Sequence, residues 1–268
     1  MLPDTLFFNG IIKIPDNMKN LFLIILTIAL PLGLFAQSQM QDNFQWHGMK
    51  WNAKETKGSI SDPEPYYLNN ELIKLPEPKL LSNKSVEQAL HERRSVREYN
   101  DEPLQLNEVS QLLWSAQGIT GSRGRYRTTP SAGALYPLEV YVVVGNVEGL
   151  EQGVYKYKPH EHGLEKISNE DIRDELALAA LGQASVGKSA AVIVFSAVYE
   201  RTTQKYGERG IRYVHMEAGH AVQNVFLQAV SMDLGMVVVG AFRDDEVKDV
   251  LNMPDEEHPL YILPVGKR

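Results

Sequence analysis

Cysteine is absent from all 268 residues. That excludes disulfide bonds, thiolate metal sites, iron–sulfur clusters and a cysteine nucleophile. Positive charge is in deficit: 27 Lys and Arg stand against 34 Asp and Glu, a net −7. A surface that reads phosphate backbones is basic, so nucleic acid is not an expected partner. Gly118, Gly121 and Gly124 do not form a G-x-G-x-x-G after a strand, and there is neither a P-loop nor a G-x-S-x-G elbow. Histidine is scarce. His215 and His220 stand about 140° apart on a helix. Glu217 and His220 share a face, but a carboxylate metal bundle needs that motif more than once. No metal site is expected. What is present, 43% hydrophobic and 23% charged residues, is an ordinary globular composition and excludes wholesale disorder.

One long apolar run exists, LFLIILTIALPLGLF at 21–35, broken by Pro31. It is short for a membrane span, which needs about 20 residues. It suits the core of a secretory signal, with Met18-Lys19-Asn20 as a start and the small Ala36 at the cleavage point. Leu34 is larger than such a cleavage site prefers. The expectation is a signal peptide over 1–36, or 18–36 if translation begins at Met18, and export, to the periplasm. The alternative is an uncleaved anchor; after cleavage no membrane span is expected.

Residues 37–84 are polar and carry Pro63, Pro65, Pro76 and Pro78, which reads as an extended arm on the core or on a partner. From Ser85 the pattern becomes regular. Leu106, Val109, Leu112, Leu113 and Ala116 give a helical stripe that Gly118 ends. LEVYVVV (138–144), VYKY (154–157), AAVIVFSAV (190–198), MVVV (236–239) and LYILPV (260–265) read as strands. Residues 170–181, 210–234 and 244–251 read as helices, the long one closed by Gly235 and buried on more than one side. Strands and helices mix without a strict parallel alternation. That predicts one α+β domain over 85–268 and not a doubly wound sheet.

Five segments carry chemistry. Arg93, Arg94, Ser95 and Arg97 place three guanidinium forks and a hydroxyl within five residues, a donor set that matches phosphate. The bland alternative is a solvated basic turn paired with Glu92, Glu98 and Asp101. TTPSAGALYP (128–137) precedes a buried strand; its small residues allow close backbone approach to a flat ligand, or make only a tight strand-entry turn. VGAF (239–242) sets small residues between a strand and a helix. PVGKR (264–268) ends in two bases that reach a phosphate or fray. In KYG (205–207), a buried lysine with a lowered pKa acts as a base beside a tyrosine that relays a proton; otherwise the segment is a surface loop.

These segments, in this order and with LLWSAQGITG (112–121) and KYGERGIRYVHMEAGHAVQNVFLQA (205–229) among them, resemble the nitroreductase superfamily. The branch they resemble most is the SagB-type dehydrogenases, the azoline-oxidising flavoenzymes. The resemblance covers roughly 85–268. It implies an α+β nitroreductase-like fold, a mainly antiparallel central sheet flanked by helices, and a homodimer holding one FMN per subunit at its interface. It implies that Arg93, Arg94, Ser95 and Arg97 bind phosphate and ribityl. Pro130, Ser131, Ala132, Gly133 and Leu135 correspond to the loop that the partner subunit lays near the ring. Gly240 and Ala241 lie beside the ring, and Lys267 and Arg268 near the phosphate. Lys205 and Tyr206 correspond to the pair that abstracts a proton. Where nitroreductases carry an Asn and a Gln-Pro-Trp after the Pro-Ser, this chain has Ala134 and Tyr136-Pro137-Leu138, which favours the dehydrogenase branch. The expected activity is hydride transfer between a small-molecule or peptide-derived substrate and flavin N5, with an electron partner the sequence does not name. The alternatives are an FMN-dependent nitro or quinone reductase, or a non-catalytic flavin-binding dimer of the envelope.

Overall fold

The computed structural model describes residues 72–121 and 126–268. The expected signal segment, and the expected arm as far as residue 71, lie outside the described residues. Among the described residues seven helices follow one another: α1 (Val86–Glu92), α2 (Leu106–Gln117), α3 (Arg173–Ala179), α4 (Ala184–Gly187), α5 (Glu200–Tyr206), α6 (Arg209–Ser231) and α7 (Asp244–Val250). The strands of the main sheet are β1 (Ile73–Lys74), β5 (Leu138–Val144), β7 (Gly153–Lys158), β8 (Gly163–Ser168), β9 (Ala191–Val198), β10 (Leu234–Met236) and β11 (Glu257–Lys267). Two small pairs lie apart from it. In one, β2 (Leu104–Gln105) runs parallel to β6 (Val147–Glu148); in the other, β3 (Ile119–Thr120) runs antiparallel to β4 (Tyr126–Arg127).

The main sheet is antiparallel in the order β1-β8-β7-β5-β9-β11-β10. Its two central strands are almost wholly apolar because both faces are covered. Along β5 and β9, alternate residues point to opposite faces. Val140, Val142, Ile193 and Phe195 join α2 and α6 in one core; Tyr141, Val143, Val192 and Val194 join α3 and α7 in the other. Helices therefore sandwich the sheet, and the fold is α+β. Among the described residues no helix is long and apolar enough to cross a membrane.

The helix α6 ends at Ser231, three residues before the expected end, and Gly235 lies inside β10. Of MVVV, only Met236 belongs to a strand; Val239 makes a single bridge to Ile262. The last strand is longer than its apolar stretch and carries Gly266 and Lys267 in register with β10. Lys205 and Tyr206 of KYG lie in the last turn of α5 rather than in a loop, and Gly207 caps it. At the other edge of the sheet, Ile73 and Lys74 of the Pro-rich stretch pair with β8.

Candidate functional site

The basic segment is laid across the end of the sheet. Ser85 caps α1 in a box with Gln88, and the helix stops at Arg93. The chain then runs extended, with the Val96 amide donating to Met236 O (2.9 Å) and the Asn100 amide to Lys267 O (3.1 Å). The approach requires glycine on the opposing strands. A Cβ on Gly235 would stand 2.8 Å from Val96 Cγ1, and one on Gly266 would stand 2.8 Å from Tyr99 Cβ. The outcome is that Arg93, Arg94, Ser95 and Arg97 are brought beside Lys267 and Arg268.

Ser95, Arg94 and Arg97 are exposed. Among the described residues none of the three arginines pairs with a carboxylate, since Glu92 is taken by Lys84 at 2.7 Å. Arg93 lies over the Phe226 ring at 4.8 Å, and Arg94 donates to the carbonyls of His91 and Arg93. The terminal bases differ from the arginines. Lys267 Nζ is engaged by Glu108 at 2.5 Å, and Arg268 Nε donates to Leu234 O. Guanidinium groups without a carboxylate partner in an acidic protein fit an anionic ligand.

A second cluster forms around the loop 128–137. The hydroxyls of Thr128 and Thr129 donate to Trp114 O and Ala116 O at the end of α2, and Asn224 of α6 donates to Thr128 O and to Thr129 Oγ1. Pro130 is exposed and Leu135 half-buried. Between them Ala132–Ala134 form one 3₁₀ turn, with Gly133 at φ 64°, Ala134 at 54° and Tyr136 at 47°. Positive φ in non-glycine residues stores strain that persists only where neighbours over-determine it. Here Ser131 Oγ accepts from the Tyr136 amide at 2.9 Å, Arg127 stacks on the Tyr136 ring at 4.3 Å, and Arg201 donates to Tyr136 O.

Lys205 and Tyr206 meet this loop. A Cβ on Gly133 would stand 2.9 Å from Lys205 Nζ and 2.8 Å from Tyr206 OH. Lys205 is exposed, where the sequence reading expected a buried base. Tyr206 is half-buried and meets Tyr213 edge-on at 5.2 Å. Their helix is fixed to the sheet by charge. Arg201 pairs with Glu139 at 2.6 Å, Lys156 lies 3.4 Å from Glu139, and Lys156 also bonds Glu257. The buried Glu257 in turn accepts from Tyr141 and Ser196.

Gly240 and Ala241 are exposed beyond β10, and Gln183 donates to Ala241 O. Gly240 joins His215, Ala218, Leu260 and Tyr261 around a cavity of about 300 Å³. Along α6 the two main clusters adjoin: Arg93 packs at Phe226, and the start of the loop is tied to Asn224, two residues away.

Glu217 belongs to this second cluster and the motifs did not mark it. It is 3% exposed, inside the apolar stripe of Val214, Ala218 and Ala221. Burial pushes its carboxyl up to about 7, against the smaller opposing influence of Ser131, Arg127 and the Ala132 backbone. The sign of the linkage follows. Between the ordinary value of 4.5 and about 7, the folded chain keeps a proton that the unfolded chain has lost. Stability therefore falls as pH rises, by about 1.4 kcal/mol per unit or roughly 3 kcal/mol across the window. Glu217→Gln is expected to remove that slope, read as the difference in denaturant midpoint between wild type and variant from pH 4.5 to 7.5. Parallel curves would show that the carboxyl is not held neutral.

Against known proteins, the nitroreductase family model matches residues 90–267. A provisionally named nitroreductase of Methanocaldococcus jannaschii is 50% identical over 196 residues, 73% of this chain and 96% of that protein. A nitroreductase structure from Anabaena variabilis superposes with a TM-score of 0.66 at 33% identity, covering 80% of this chain but only 45% of that one. A chain of the Escherichia coli microcin synthetase complex, solved with truncated pro-microcin bound, superposes with a TM-score of 0.57 at 25% identity, covering 79% and 84%.

Proposed function

The chain belongs to the nitroreductase family of FMN-dependent oxidoreductases, and from that premise we propose that it is an exported dehydrogenase of the azoline-oxidising type, working as a homodimer. One observation carries the reading: Lys205 Nζ and Tyr206 OH converge on Gly133, the position of the strained loop that has no side chain.

Dehydrogenation across a C–H bond needs a hydride acceptor and a base. FMN, when bound, supplies the acceptor. Arg93, Arg97 and Ser95 hold its phosphate with charge-assisted bonds. Gly240 and Ala241 present backbone to the ring. The substrate proton passes to Lys205 or Tyr206. A lysine takes a proton only when uncharged, and burial favours that form. Lys205 is exposed in the single chain, so its cover comes from a second copy. Ile211 and Met216 of α6, 43% and 49% exposed, leave apolar surface open to that copy. Pairing two chains would also lay the loop 128–137 of one copy near the flavin of the other. The substrate is a small molecule or a peptide-derived ring, in keeping with the microcin-processing relative. The apolar run 21–35 supports export to the periplasm, with 1–36 as signal, 37–84 as arm and 85–268 as the flavin domain.

The name of the M. jannaschii relative favours a second reading, reduction of nitro compounds or quinones. The test begins with the visible spectrum and solution mass of the purified protein after adding FMN. The expected result is flavin absorbance, FMN on release and a dimer mass. A colourless monomer would sink the proposal. Bleaching of the bound flavin under anaerobic conditions by a thiazoline peptide would then separate the dehydrogenase from the reductase. Reoxidation of chemically reduced enzyme by nitro compounds or quinones, without that bleaching, would favour the second reading.

A further inference from the structure

We propose that the cavity of about 300 Å³ at Gly240 is a site for the carbonyl edge of a flat ring, and that His215, its tautomer set by Tyr199, is the donor that meets it. The inference rests on the reading of Gly240 and Ala241 as the contact to the flavin ring.

Position comes first. Val239 and Ile262 exchange backbone bonds of 2.8 and 2.9 Å, which hold Gly240 beside Tyr261. The arginine segment is tied four residues earlier, where the Val96 amide donates to Met236 O. Four residues span at most about 14 Å. A phosphate at one end and a ring at the other therefore lie within the length of one FMN.

The walls suit a flat ring. Ala218, Leu260 and Tyr261 give apolar and aromatic surface, and His215 adds an imidazole. Ligand pockets have this make-up, an apolar lining with a few placed polar groups. Gly240 has no need within the chain to be glycine. Its φ is not positive, and a Cβ there would stand 3.6 Å from the Tyr261 ring, an ordinary contact. Gly235 and Gly266, by contrast, each admit a neighbouring segment that a Cβ would meet at 2.8 Å. What the missing side chain of Gly240 leaves is open space in the cavity.

The donor is held ready. Tyr199 stands at the N-cap of α5, and its hydroxyl lies 2.6 Å from His215 Nε2. Its ring is flanked on two sides, edge-on by His215 at 5.6 Å and tilted by His258 at 5.2 Å. Burial, with the Asp244 carboxylate, pushes the phenol up from its ordinary value, so it keeps its proton. Nε2 is its one acceptor among the described residues. Tyr199 therefore donates to Nε2, and the imidazole proton sits on Nδ1. Nδ1–H has no partner among the described residues. Such a donor at an apolar cavity selects a ligand that brings an acceptor. Two flat ligands of the proposed reaction carry a carbonyl for it: the pyrimidine edge of the flavin, and the amide next to the ring of a peptide-derived substrate.

Two titrations test the assignment without turnover. Apoprotein is titrated with FMN by calorimetry, and oxidised FMN-loaded protein with a thiazole peptide, which is already oxidised, by the shift of the flavin band. His215→Ala is expected to weaken one of the two by about fivefold, the equivalent of one net hydrogen bond. A loss in the first assigns the carbonyl to the flavin, a loss in the second to the substrate. His215→Asn keeps an N–H near Nδ1 and is expected to restore most of the affinity. His215→Gln carries its amide near Nε2 and is not. Tyr199→Phe frees the tautomer, so a smaller loss is expected, with nothing added in a His215→Ala background. Gly240→Ala is expected to melt no lower than wild type and yet to bind the same ligand more weakly. No loss in either titration for a folded His215→Ala protein, or equal rescue by Asn and Gln, overturns the proposal. Wild type that takes up no FMN overturns the functional reading and this proposal together. Bound flavin that a thiazoline peptide leaves unbleached overturns the dehydrogenase reading alone, and the effect of His215→Ala on FMN still stands or falls by itself.

Discussion

With Arg93 and Arg97 both changed to alanine, the protein is expected to purify colourless at FMN concentrations that saturate wild type. The two guanidinium groups have no carboxylate partner among the described residues. Their bonding capacity is therefore available to a ligand. A hydrogen bond to a charged group contributes about 1.5–3 kcal/mol, so losing two weakens FMN binding by roughly 10²- to 10⁴-fold. The two positions differ in what else they do. Arg93 also covers Phe226, and its loss costs some packing, about 0.5–1 kcal/mol. Arg97 is exposed, and the single Arg97→Ala variant isolates the binding effect from stability. Lys267→Ala is the informative contrast. Its ammonium already serves Glu108, so its removal is expected to weaken FMN less than the removal of either arginine. Isothermal titration of each apoprotein with FMN ranks them. Wild-type affinity in the double variant would remove this segment from the cofactor site.

What the sequence made legible follows the range of the interactions. The strand 138–144 is bounded as its apolar run predicts, because both faces are buried and nothing local competes. The helix ending at Gln117 shows its apolar stripe and its stop at Gly118 within a dozen residues. Gly235 was misread for a physical reason. A glycine that ends a helix and a glycine that admits a neighbouring chain look alike, and the neighbour here, Val96, is far off in sequence. The seven residues of α5 show no apolar periodicity, since ion pairs through Arg201 and Glu139 hold the helix in place of a buried stripe. The KYG segment consequently left a buried base and a surface loop both open. Glu217 was visible as a carboxylate within an apolar stripe. Its surroundings, Ser131 and Ala132 among them, were not, because that loop is far off in sequence. The motif residues could be named from their order alone. That Lys205 and Tyr206 point at Gly133 required the coordinates.

Gly133→Ala is expected to separate chemistry from folding. The new methyl group would stand 2.8 Å from Tyr206 OH and 2.9 Å from Lys205 Nζ, at a φ of 64°. The backbone strain is about 1–2 kcal/mol, a loss of a few degrees in Tm for a chain of this size. The atoms it meets are the free ends of two side chains, so they swing aside and the fold survives. The displacement falls on the pair assigned to proton transfer, and a misplacement of about 1 Å costs on the order of 10²-fold in rate. Removing the proposed base outright, Lys205→Ala, is expected to slow anaerobic flavin reduction by a thiazoline peptide by about 10²- to 10⁴-fold, the usual span for a general base. FMN should stay bound in both variants, because neither residue touches the arginine cluster. The two changes should not add. If the methyl acts by displacing Lys205, Gly133→Ala costs little more in a Lys205→Ala background, which a double-mutant cycle reads directly. Full additivity would mean that the methyl group harms the site by another route, and an unchanged rate in Lys205→Ala would leave Tyr206 as the proton acceptor.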